Sequence, residues 1–260
     1  MYSQKMKNPY IGWRKEAFSL MELRYIKEQK EIRKINQAYR KIKREHMKHS
    51  MEVEQYFRRK CCFKYGLPKP EYEGEEKKEI YLVFSFAPES SMARAIAAYT
   101  NSNFSHVSLA LDESLKNMYS FTIRKGTNFS DIEGGFTYER LHDYQAQRLW
   151  IQVNGIYVTK AQYERIVKGI SAMAKEQKQT SYNLKGLIEY VLGEERPMNP
   201  KDMFCSEFIM YLFEQAGVDF LNQKPELTSP QDLANACADK CGWLVYRGNA
   251  DWYRRENQNE

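Results

Sequence analysis

No run of about 18 apolar residues occurs anywhere in the 260 residues, so no segment reads as a transmembrane helix. The opening stretch from Met1 to Phe18 has no continuous apolar core. No secretory signal is therefore expected, and the chain is expected to be cytoplasmic. Cysteine is scarce and odd in number, with Cys61, Cys62, Cys205, Cys237 and Cys241 making five. An odd set without an export signal argues against a disulfide scaffold and for reduced thiols. Cys237 and Cys241 are four apart but have no second pair at zinc-binding spacing, and Cys61-Cys62 fare no better. Gly-rich phosphate loops of the Walker or dinucleotide type are missing, as are internal repeats and low-complexity tracts. Neither a metal nor another cofactor is expected.

What is present suits a folded soluble protein. Hydrophobic residues make up 42% and charged residues 28%, which excludes a largely disordered or collagen-like chain. At about 150 residues per domain, the length allows one domain with an appendage or two small domains. The net charge of +6 is unevenly spread. Between Arg14 and Lys60 stand 15 basic and 7 acidic residues, whereas Cys61 to Glu260 carries 23 basic and 27 acidic. A basic N-terminal element is thus joined to a mildly acidic body. Such an element attracts an acidic partner, nucleic acid or an anionic membrane surface, or it is simply a solvated helix face.

From Trp13 to Lys60 there is no Gly and no Pro, and helix-favouring residues dominate. Phe18, Met21, Tyr25, Ile32, Ile35, Tyr39, Ile42, Val53 and Tyr56 recur at spacings of three and four, with Glu28, His46 and His49 filling the seam. A stripe this long cannot be buried within its own helix. Coiled-coil pairing of residues 13–60 with a second copy is the favoured use, and packing across the body is the other. His46 and His49 lack further ligands nearby and read as polar breaks in the seam. Gly66-Leu67-Pro68-Lys69-Pro70 ends the helix near Tyr65. The expected organisation is a helix over 1–65, a linker over 66–79 and a body over 80–260.

The body reads as mixed α and β. Ile80 to Phe86 is an apolar run suited to a buried strand. Ser105 to Leu111 alternates with period two and pairs with Met118 to Ile123 as a hairpin. Arg148 to Val153 and Trp243 to Tyr246 are further strands, and Gly134-Gly135 breaks the chain before Phe136. Helices are expected over 92–99, from the capping box Thr159-Lys160-Ala161-Gln162 to about 177, over 182–192 and over 203–216, with Gly217 as the stop.

Cys205 falls at the start of that last helix, where unpaired N–H groups and the helix dipole favour a thiolate. A cysteine there becomes a nucleophile when a base lies close. His106, on a strand with apolar neighbours on its other face, is the candidate base. The bland alternatives are a core cysteine and a satisfied polar histidine. His142, in Leu141-His142-Asp143-Tyr144, is a rival base. Glu207, two residues past Cys205, points elsewhere on the helix and reads as structural.

The elements Ser105-His106-Val107-Ser108-Leu109-Ala110-Leu111-Asp112, Met118-Tyr119-Ser120-Phe121, Gly134-Gly135-Phe136 and Phe204-Cys205-Ser206-Glu207-Phe208 resemble circularly permuted NlpC/P60 hydrolases. These are papain-like proteins related to the YiiX and lecithin-retinol-acyltransferase groups, and the order His before Cys marks the permuted branch. The resemblance spans about Glu79 to Gly248. It implies an α+β fold in which an antiparallel sheet packs on helices, here preceded by the long heptad helix. It implies Cys205 as nucleophile and His106 as general base. Ser120 matches the position of the residue that orients the histidine, although a serine brings no charge to the task. Tyr182 matches a tyrosine whose hydroxyl lies near the oxyanion. The implied activity is a cysteine hydrolase acting on a peptide, amide or acyl ester. A catalytically weak scaffold on the same fold, assembling through the N-terminal helix, is the alternative.

Overall fold

The computed structural model describes residues 29–59, 69, 76–125, 133–141, 148–192, 196–239, 242–251 and 253. Six helices and a six-stranded antiparallel sheet form the main elements among them. In chain order these are α1 (Gln29–Arg59), β1 (Lys77–Phe86), α2 (Ser91–Tyr99), β2 (His106–Ala110), β3 (Met118–Lys125), β4 (Glu133–Glu139), β5 (Trp150–Thr159), α3 (Lys160–Lys175), β6 (Ser181–Tyr182), α4 (Leu184–Leu192), β7 (Asp202–Met203), α5 (Cys205–Ala216), α6 (Pro230–Asp239) and β8 (Trp243–Asn249). The large sheet runs β4-β3-β2-β1-β5-β8, and β6 pairs with β7 in a small parallel ladder.

The continuous apolar run of β1 is explained by cover on both faces of the sheet. Ile80, Leu82, Phe84 and Phe86 enter one core with Val107, Leu109, Phe121 and Phe136, joined by Ile166 and Ile170 of α3 and Phe208, Leu212 and Phe213 of α5. Tyr81 and Val83 point the other way, into a second core with Ala110, Met118, Ile151, Val153, Trp243 and Tyr246. Alternate residues thus serve opposite cores, as the pleat requires. The expected capping box at Thr159 opens α3, and Gly217, at φ 70°, ends α5 in the left-handed conformation.

Two strand expectations are corrected. The strand expected over 148–153 runs on to Thr159, because its whole length pairs with β1 from Lys77↔Thr159 to Phe86↔Trp150. Gly134-Gly135 does not break the chain: both residues lie inside β4. A Cβ on Gly135 would sit 2.5 Å from Thr180 Oγ1, and one on Gly134 would sit 2.6 Å from Tyr182 Cβ. The glycines let the chain around Thr180 to Tyr182 close against the edge strand, which is a packing role and not a turn.

Helix α1 puts its second half onto the body. Ile42, Val53 and Phe57 are buried. Phe57 stacks on Trp150 with ring centroids 5.7 Å apart and meets Phe104 edge-on at 6.0 Å. Full burial of such a ring contributes about 2–3 kcal/mol. The seam histidines make contacts of their own, His49 Nε2 to Ser102 O at 2.8 Å and the His46 ring edge-on to Tyr99 at 5.1 Å. Tyr56 donates its hydroxyl to Gln152 Oε1, and Arg148 reaches Glu54. This half of the stripe is therefore covered by the chain's own body. Phe18, Met21 and Tyr25 lie outside the described residues, as do the side chains of Ile32, Ile35 and Tyr39, and Cys61, Cys62, Cys241 and His142. Among the described residues no helix is long and apolar enough to cross a membrane.

Candidate functional site

The start of α5 is held from several sides. Ser206 donates its hydroxyl to Thr228 O at 2.7 Å. Glu207 accepts from the backbone N–H of Phe204 at 3.2 Å and from Arg196 Nη2 at 2.5 Å. Burial pushes the Glu207 carboxyl up to about 7 even though Arg196 opposes this. Its contacts are those of a helix-end brace, as expected of a structural residue. The first residue held by this frame is Cys205, 3% exposed and in the main core.

Helix α5 lies across β2 and β3, which brings Cys205 beside His106. His106 begins β2, opposite Ser85 of β1. Its Nε2 lies 3.0 Å from both carboxylate oxygens of Glu139. Glu139 is the last residue of β4 and is fixed by its pairing with Met118. Its side chain is 3% exposed, against 17% for the histidine. Ser108, two residues along β2 from His106, donates its hydroxyl to Glu139 Oε2 and lies 3.2 Å from the ring nitrogen. With Nε2 given to the carboxylate, Nδ1 is the nitrogen left for the thiol.

Burial opposes a charge on the His106 ring. The Glu139 carboxylate and the neighbouring Cys205 outweigh it, so the imidazole is held well above the ordinary histidine range. The arrangement is a thiol, an imidazole disposed toward its protonated form, and a buried carboxylate that fixes the tautomer.

Ser120 does not make the bond to His106 that the resemblance implies. Its hydroxyl donates to the backbone carbonyl of Val107 at 2.7 Å in a fully buried position. The β2–β3 ladder has only the pairs Leu109↔Tyr119 and Ala110↔Met118, and Ser120 supplies a cross-strand bond just past its end. The group bonded to the His106 ring is Glu139, at the end of a strand that Gly134-Gly135 disguises in the sequence as a break. The available signal was the strand-forming segment Phe136-Thr137-Tyr138 ending on an acid.

Tyr182 is brought to the site. The β6–β7 pairing sets Tyr182 against Met203, with Asn183 N–H donating to Met203 O at 3.0 Å. Burial and the neighbouring charges of Cys205 and Glu207 push its hydroxyl well above the usual tyrosine range, so it stays a proton donor. Cys237 lies in α6, where burial pushes its thiol far up, and reads as core. Among the described residues no group of three or more His, Cys, Asp or Glu side chains is placed to hold a metal ion. No protein-family model matches the chain, and no curated protein matches it.

Proposed function

We propose that the chain is a cysteine hydrolase of the permuted papain-like, NlpC/P60 kind, cleaving an amide, ester or thioester through an acyl-enzyme. The observation that carries this reading is the series Cys205, His106 and Glu139, with the thiol at a helix N-terminus and the imidazole anchored through Nε2 on a buried carboxylate.

His106 accepts the thiol proton, and the Cys205 sulfur attacks the carbonyl carbon. The carbonyl π pair moves onto oxygen, forming a tetrahedral oxyanion. The backbone N–H of Cys205 and the Tyr182 hydroxyl are the donors proposed to face it. The C–N, C–O or C–S bond then breaks as the oxyanion collapses, and the imidazolium gives its proton to the leaving group. Water, deprotonated by His106, attacks the thioester, and Cys205 leaves as thiolate. An amine or alcohol in place of water would make the same site an acyltransferase. Glu139 holds the ring in register throughout and stabilises its charged form.

A serine orienter would have favoured the inactive-scaffold reading, and a buried carboxylate in that role supports activity. The test is a screen of peptide and acyl ester substrates against the parent chain and Cys205→Ala, read for hydrolysis and for a covalent acyl adduct by intact mass. Turnover lost in the variant, with an adduct on Cys205, is the expected result. Absence of turnover and adduct across amide, ester and thioester substrates would count for a scaffold.

A further inference from the structure

The outward face of α1 is unlike a plain solvated helix. Arg40, Lys43, Arg44, Met47 and Met51 follow at spacings of three, one, three and four, so they line one side of the helix. The opposite side, with Ile42, His49, Val53 and Phe57, is committed to the body. Met47 is 45% exposed and Met51 60%, two of the three large apolar side chains that stand exposed among the described residues. Arg40, Lys43, Arg44 and Met47 line a shallow groove of about 370 Å³. The three cations of this groove, and Lys48 beside it, form no ion pair among the described residues.

We propose that this face of α1 docks on an anionic lipid bilayer, lying in the plane of the interface. Two adjacent flexible apolar side chains next to four long cationic ones are what such a surface takes. The methionines enter the acyl boundary, while the Arg and Lys stems snorkel to the phosphates. The remaining helix face is held by the body, so docking costs little ordering. Residues 1–28, which precede α1 in the chain, carry six basic and three acidic side chains and share the sign of the groove. A nucleic acid would use the cations but has no use for the paired methionines.

The test is co-sedimentation of the full chain with vesicles of phosphatidylcholine alone and of phosphatidylcholine mixed with phosphatidylserine. Binding is expected only with the anionic mixture. Lys43→Gln with Arg44→Gln should lower it about 25-fold, since each cation near such a surface contributes about fivefold. Met47→Gln with Met51→Gln should lower it about tenfold or more. Both variants should keep the parent's melting temperature, because the altered side chains face outward. No binding to anionic vesicles, or binding that both variants retain, would overturn the proposal. So would oligonucleotide binding that the cation variant loses and the methionine variant keeps, which would make the face a nucleic-acid interface.

Discussion

Acidification should loosen α1 from the body through His46. The ring is partly buried against Tyr99, and burial, Arg94 and His49 together lower its pKa to about 4, from the ordinary 6.5 of a histidine. The unfolded chain therefore binds a proton that the folded chain refuses between pH 6.5 and 4. The neutral ring's contribution is complete above pH 6.5 and is lost as pH falls through the folded value. Between pH 7 and 4.5 the linkage amounts to about 2 kcal/mol, after an allowance for the part of the ring that keeps contact with water. His46→Phe keeps an edge-on aromatic contact and removes the titration. Urea unfolding at the two pH values should show the parent losing about 2 kcal/mol more than the variant, with hydrogen exchange in α1 accelerating first. Equal losses in parent and variant would refute the reasoning, because other acid-titrating groups affect both chains alike.

Glu139→Gln should lower the His106 pKa, read from the pH titration of its ring proton by NMR. A raised histidine pKa stabilises the fold below pH 6.5, and that contribution fades as pH rises through the folded value, so the parent should lose stability at alkaline pH and the variant should not. Ser120→Ala should cost about 1–3 kcal/mol in urea unfolding, by orphaning the buried Val107 carbonyl, while leaving the reactivity of Cys205 intact. Loss of that reactivity would restore Ser120 to the site. Gly135→Ala should cost about 2 kcal/mol or more, because the residue sits at φ 137° with the Thr180 side chain and carbonyl where its Cβ would go. A melting temperature equal to the parent's would contradict the close-approach account of β4.

The two side chains proposed to react were legible from local pattern. His106 opens a stretch of period-two alternation, and Cys205 precedes an apolar run with a glycine stop, so both element and position could be read. Glu139 was not legible. It lies 33 residues from His106, and only the β2–β3–β4 register brings the two together. Its strand carries two glycines whose meaning depends on the chain around Thr180 and Tyr182 passing close by. The α1 stripe was visible as a stripe, but a heptad seam does not say what covers it. Tyr99 and Phe104 on one stretch of sequence and Trp150 on another, far along the chain, cover its second half. The length of β5 was hidden for a similar reason: its second half is held as strand by pairing with β1, some seventy to eighty residues earlier in the chain.

The most direct test of the central claim is the rate of iodoacetamide alkylation at Cys205 across pH, followed by peptide mass analysis in the parent and in His106→Ala. The account predicts that Cys205 labels faster than Cys237 at neutral pH, and that most of this advantage disappears without the imidazole. An equal rate and pH profile for Cys205 in the two chains would contradict a working Cys205–His106 pair and leave the site a feature of the fold.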